Sequence, residues 1–133
     1  MEVVIYCDGA SRGNPGLAGA GAVIKNAKGK ILGTVKEFLG KTTNNVAEYQ
    51  SIILGLSKAL ELGAKSITLK ADSQLVINQL RGDWVVREPH LKDLYRQTTK
   101  LLEKFDNYTL QHISRDENAL ADSLANEAID LKS

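Results

Sequence analysis

The chain has 133 residues, 43% of them apolar and 25% charged, with a formal net charge of +1. That is the make-up of one ordinary globular domain spanning 1–133, neither disordered nor fibrous, and so nearly neutral a total gives whole-chain charge no weight as an argument for nucleic-acid binding. Cys7 is the only cysteine, which excludes an intramolecular disulfide and a cysteine zinc cluster. No apolar run approaches the roughly 20 residues of a membrane span and no basic-then-apolar leader opens the sequence, so a cytoplasmic protein without a membrane partner is expected.

Val3 to Asp8 consists mostly of β-formers with little alternation, which predicts a central strand buried on both faces and ending at the aspartate. Gly9, Gly13, Asn14, Pro15 and Gly16 predict a loop after it. Gly19 to Lys25 and Lys30 to Phe38 read as two more strands around the turn Asn26-Ala27-Lys28-Gly29, which makes the start of the chain an antiparallel meander. From Asn44 the period lengthens. Val46, Tyr49, Ile53, Leu56 and Leu60 recur at helical spacing, Thr42 to Asn45 offer N-caps, and Gly63 stands where the helix should stop. Ser66 to Ala71 predicts a strand, Ser73 to Leu80 a short helix halted by Gly82, and Pro89 the start of a helix whose stripe is Leu91, Leu94, Leu101, Leu102 and Phe105. Tyr108 to Ile113 and Asn118 to Leu131 complete the order βββαβααβα. Helices between strands in the second half require parallel crossovers. The expected fold is therefore α/β, a mixed five-stranded sheet with its first three strands antiparallel, flanked by helices.

Four acids fall at element boundaries in this scheme: Asp8 ends the first strand, Glu48 lies in the first turns of the first helix, Asp72 ends the fourth strand and Asp122 opens the last helix. The carboxyl ends of parallel strands and the helices after them share one edge of a sheet, where ligands bind. Several carboxylates meeting there would repel one another unless a cation joined them, and an all-oxygen set suits Mg²⁺ or Mn²⁺. Two such ions about 3.5 to 4 Å apart activate water and stabilise a leaving oxygen in phosphodiester hydrolysis. Taken singly, Asp72 and Asp122 read better as surface charges or helix caps and Glu48 as a charge at the positive end of a helix dipole, and spacing alone does not establish the cluster.

The words around these acids, YCDGASRGNPG, TTNNVAEYQSIILGL, LKADSQLVINQL and RDENALADSLANEA in this order, resemble the ribonuclease H family of type 1, and the resemblance covers nearly the whole chain. It implies hydrolysis of the RNA strand of an RNA–DNA hybrid by two metal ions, leaving 5′-phosphate and 3′-hydroxyl ends. Asp8 would bridge the two ions, Glu48 and Asp72 would hold the one on the leaving-group side, and Asp122 the one that activates water. Gly13, Asn14, Asn44, Asn45 and Gln74 match family positions that contact the minor groove, where 2′-hydroxyls mark RNA, and Thr43 matches one that grips a phosphate of the DNA strand. A monomer is expected, with double-stranded RNA as an alternative substrate and a non-catalytic nucleic-acid-binding domain as the alternative class.

Two departures from the family pattern stand out. Many members carry a histidine in the loop before the last helix; here Ser114 to Glu117 contains none, which leaves Arg115 and Glu117 as candidates for its role, Arg115 being favoured because it could attract the scissile phosphate or help expel product, with His112 read as structural and His90 placed after Pro89 at a helix start. Some members insert a basic helix as a handle for the hybrid. The connection Arg81-Gly82-Asp83-Trp84-Val85-Val86-Arg87 is too short for one, so Trp84 becomes the candidate contact, with Arg81, Arg87, Lys92 and Arg96 as local positive charge.

Overall fold

Small residues decide how the first forty positions fold. The computed structural model describes residues 1–132, and Ser133, the last position of the expected domain, lies outside the described residues. β1 (Glu2–Gly13), β2 (Gly16–Asn26) and β3 (Ile31–Thr42) form an antiparallel meander. The expected loop after Asp8 is instead strand: pairing runs on to Gly13 opposite Gly16, and only Asn14 and Pro15, joined by a cis bond, make the turn. Of the glycines that suggest a loop, Gly9 serves close packing, as do Gly19 and Gly21 of β2, because a side chain on any of the three would collide with helix backbone.

α1 (Asn44–Glu61) follows, then β4 (Ser66–Ala71), α2 (Gln74–Arg81), α3 (Pro89–Leu102), β5 (Asn107–His112) and α4 (Ala119–Lys132). The sheet order is β3-β2-β1-β4-β5, with β1, β4 and β5 parallel. This is the mixed sheet expected from the element order. Thr43 caps α1 by accepting from the Val46 N–H, Ser73 caps α2 in the same way, and Gly82 ends α2 in the left-handed conformation at φ 85°. The last helix starts one residue later than its sequence pattern suggests. Arg115–Asn118 forms a short 3₁₀ turn, closed by a capping box between Ser114 and Glu117.

Val3, Ile5 and Cys7 of β1 point into the core with Ile52 and Leu56 of α1, Leu69 of β4 and Ile77 of α2. Between them Val4 and Tyr6 are only half-buried, so this strand is not covered on both faces as its run of β-formers suggests. α4 lies over β2 instead, where Gly19 and Gly21 meet the Ala125 and Ala121 carbonyls, and leaves the Tyr6 ring to the Lys25 and Lys70 ammonium groups at 5.0 and 5.4 Å. Among the described residues, no helix is long and apolar enough to cross a membrane.

Candidate active site

β1 and β4 part company at Cys7 and Ala71, the last pair of their parallel ladder, so Asp8 and Asp72 are the first residues past it on two neighbouring strands. Glu48 reaches the same place from α1. That approach requires Gly9: a Cβ there would lie 2.3 Å from the Ala47 carbonyl carbon and 2.4 Å from the Glu48 nitrogen. The Gly9 N–H in turn donates to Glu48 Oε1 at 3.1 Å, which turns the carboxylate toward the strand. Asp8, Glu48 and Asp72 can each offer an oxygen within 4.8 Å of the others.

Asp122 stands beside this trio rather than in it. It is close enough to Asp8 for a carboxyl–carboxyl hydrogen bond, yet it falls outside the set that meets within 4.8 Å. α4 brings it there by settling on the bare backbone of Gly21, and Asn126, one turn later, donates to both the main-chain oxygen and Oδ1 of Asp122, at 3.0 and 3.3 Å.

The electrostatics are those of a crowded acidic cleft. Asp8 and Glu48 are only 5% and 7% exposed. Burial, then the charge on Glu48, then a hydrogen bond with Asp122 push the Asp8 carboxyl far above the usual carboxylate range. Burial also raises Glu48, against the pull of a hydrogen bond from Asp8, the Gly9 N–H and the Arg115 guanidinium. With no cation present, both carboxyls therefore favour the protonated form. Glu48 Oε2 is buried with no hydrogen-bond partner, an orphaned oxygen in a cluster made only of oxygen donors. A divalent cation would answer both features, replacing the retained protons and satisfying the orphan, and hard oxygen ligands suit Mg²⁺ or Mn²⁺.

The flanking residues are arranged as follows. Asn14 Oδ1 accepts from the Asn44 N–H at 3.0 Å, which joins the β1–β2 turn to the start of α1. Asn44 and Asn45 lie four and three residues before Glu48, on its side of the helix. Gly13 takes φ 108°, Thr43 spends its hydroxyl oxygen on the α1 cap, and Gln74 is exposed at the first position of α2. Arg115 lies exposed in the 3₁₀ turn, with its charge felt at Glu48. His112 Nε2 sits 3.3 Å from the Asp72 carbonyl and His90 pairs with Glu88 at 3.1 Å.

Trp84 is 45% exposed and borders a recess of about 500 Å³ with Gln79, Tyr95, Lys92 and Arg96, away from the four acids. Arg81 is not free to supply charge there: its Nη2 donates to the Leu110 carbonyl at 2.5 Å, which ties α2 to β5. Sequence reasoning did not single out Gly9 as the backbone partner of Glu48, nor Asn118 and Asn126 on either side of Asp122. The four-residue spacing of the two asparagines from Asp122 is the signal that could have found them.

Comparison with known proteins agrees with this geometry. A family model described as reverse transcriptase-like matches residues 6–128. The N-terminal RNase H domain of Rv2228c from Mycobacterium tuberculosis superposes with a TM-score of 0.95 at 44% identity, covering 98% of this chain and 100% of that one. RNase H1 from the archaeon Halobacterium salinarum gives 0.95 at 42% identity, covering 98% of each. LC11-RNase H1, solved with an RNA/DNA hybrid, gives 0.93 at 40% identity, again covering 98% of each. The chain spans 36% of the length of the full mycobacterial protein, described as bifunctional, and 65% of the halobacterial ribonuclease HI. On its sequence, its sheet order and its grouped acids, the chain belongs to the ribonuclease H family of type 1.

Proposed function

We propose that this chain is a divalent-metal-dependent endoribonuclease that cleaves the RNA strand of RNA–DNA hybrids and leaves 5′-phosphate and 3′-hydroxyl ends. One observation carries the reading: Asp8, Glu48 and Asp72 present oxygens within 4.8 Å of one another, in a cleft where burial and mutual repulsion make the metal-free state costly. A likeness to LC11-RNase H1, whose structure holds an RNA/DNA hybrid, supports the substrate class. Asp8, Glu48, Asp72 and Asp122 would hold Mg²⁺ or Mn²⁺. Such ions, once bound, supply an acidic water and a positive charge for the departing oxygen.

The chain's own groups do the rest. Gly9 fixes the rotamer of Glu48 through its N–H, and Asn126 fixes that of Asp122. Gly13, Asn14, Asn44, Asn45 and Gln74 border the acids and would take the minor groove, with their amides reading 2′-hydroxyls. Thr43 can still donate its hydroxyl proton to a phosphate of the DNA strand while its oxygen caps α1. Arg115 would draw the scissile phosphate in, and Trp84 with Lys92 and Arg96 would meet the DNA strand farther along. One domain, acting as a monomer, suffices for this scheme.

The test is cleavage of labelled RNA–DNA hybrid, double-stranded RNA and DNA duplex with Mg²⁺, Mn²⁺ or chelator, beside an Asp8→Asn variant. Metal-dependent cutting of the hybrid that falls at least about a hundredfold in the variant is expected, since even groups behind metal ligands cost 10 to 100-fold. Hybrid binding without cleavage would convict the chain of being a binding module. Equal cutting of double-stranded RNA would broaden its substrate class.

A further inference from the structure

Asp122 has to be held next to Asp8, and the seating of α4 on β2 is only part of what holds it there. Its packing through Gly19 and Gly21 fixes the helix on β2, and the links from Arg12 to Asn126 and Asp130 are exposed and attach beyond Asp122. One buried bond addresses the near end. Asn118, 1% exposed, donates from Nδ2 to the Cys7 carbonyl at 2.7 Å. Cys7 is the residue before Asp8 and the last of β1 to be paired with β4. Asn118 is four residues, about one helical turn, before Asp122. A single side chain therefore ties the backbone beside one carboxylate to the turn that launches the other.

From this we infer that Asn118 is a positioning residue for the reaction: its amide clamps the start of α4 to β1 and so sets the separation of Asp122 from Asp8. The inference rests on the nuclease reading above. The residue type is informative. A bland core position would take an apolar side chain, whereas this one buries an amide whose Oδ1 has no partner and whose value lies in the donor it offers to a strand carbonyl. Aspartate there would set an acceptor against an acceptor, beside three further acids.

The experiment compares wild type with Asn118→Ala and with Asn118→Leu, which keeps the branched skeleton of the side chain and removes its amide. It measures kcat and KM on labelled RNA–DNA hybrid in Mg²⁺, Mn²⁺ affinity by calorimetry without substrate, and thermal melting. The expected result is a kcat lower by about tenfold or more with KM within about twofold, together with an Mn²⁺ dissociation constant raised severalfold in protein that remains folded. Unchanged kcat and Mn²⁺ affinity with only a lower melting temperature would make Asn118 merely structural and overturn the inference. So would failure of both variants to fold at every temperature tried, because a positioning role presumes a chain that folds without the bond. Should wild type bind Mn²⁺ yet leave the hybrid uncut, the nuclease reading fails by itself, and the calorimetry still decides the clamp.

Discussion

Gly9→Ala puts the geometry of the site under the most direct load. The added Cβ would stand 2.3 Å from the Ala47 carbonyl carbon, 2.4 Å from the Glu48 nitrogen and 2.5 Å from the Ala47 oxygen, where ordinary contact begins at 3.4 Å. All three are backbone atoms, so no rotamer relieves the clash and α1 must retreat by about 1.1 Å at this point. It cannot retreat as a body. Gly55 holds its middle against Ile5, Cys7 and Ala22, so relief comes from tilting the N-terminal turns, the part that carries Glu48. Such overpacking costs about 1–3 kcal/mol, roughly 5–10 °C of melting temperature for a domain of this size. The same tilt breaks the Gly9 N–H bond to Glu48 and moves a carboxylate by about 1 Å, a misplacement worth up to about a hundredfold in rate. Hybrid cleavage kinetics and thermal melting of Gly9→Ala should be read beside Gly33→Ala, whose Cβ meets the flexible end of Lys58 at 3.1 Å and Leu62 Cδ1 at an ordinary 3.6 Å, and whose kcat should stay within about threefold. A Gly9→Ala enzyme with the wild-type kcat would refute the claim that this contact aims Glu48.

The metal-free protein should lose stability as pH rises across neutrality. Burial raises the Asp8 and Glu48 carboxyls above unfolded values near 4, so above about pH 4 the folded chain keeps protons that the unfolded chain has released, and the stability present below that pH is lost toward the raised folded values. Each retained proton gives a slope of about 1.4 kcal/mol per pH unit. Urea unfolding with chelator at about pH 5 and about pH 8 measures it, Asp8→Asn should flatten it, and a rise over that interval would contradict the retention of protons by these carboxyls. Arg115→Ala should lower kcat by up to about a hundredfold, the low end of what removing one well-aimed group from such a site costs, because Arg115 is exposed; full activity would return Arg115 to the role of a solvated loop residue. KM for the hybrid should climb steeply between about 50 and 200 mM salt, because the recess near Trp84 offers Lys92 and an Arg96 already paired with Asp93 at 2.8 Å rather than an extended basic handle. A KM indifferent to salt would show that binding rests elsewhere.

Which parts of this molecule could be read from its sequence follows from the range of the forces involved. α1, α3 and the meander announce themselves through apolar period and turn residues, which are local signals, and the crossovers follow from element order. The four acids could be placed at element ends by the same means, but their meeting could not, because it depends on how far α1 and α4 approach the sheet. The misreading of Gly9 to Gly16 as a loop shows why. Glycine has two uses, freedom of φ and absence of a side chain, and a local reading credits the first, whereas Gly9, Gly19 and Gly21 stay in the strands and are there for the second. Val4 and Tyr6 mislead in the opposite sense, since β-formers look buried until the covering helix is known to lie over β2 instead. Arg81 shows the same limit for charge: only its bond to the Leu110 carbonyl reveals that it braces β5.

Those glycines also explain how a domain with only marginal stability to spare can hold its acids together. Three carboxyls within 4.8 Å work against folding wherever no cation is present. Contacts through long side chains would let the helices drift outward until the repulsion eased, because such contacts are soft. Backbone against backbone is stiff: α1 rests on Gly9 and α4 on Gly19 and Gly21, while Gly55 lets α1 sit directly on the Ile5, Cys7 and Ala22 side chains, so neither helix can slide without a collision or the opening of a void. The large fully buried side chains Ile5, Ile52, Leu56, Leu69 and Ile77 supply the apolar burial that drives those backbones together. Repulsion at the site is thus resisted by a core it does not touch, and the strain is left for a bound cation to relieve. Metal affinity in this chain should accordingly depend on substitutions at the glycines as much as on substitutions at the acids.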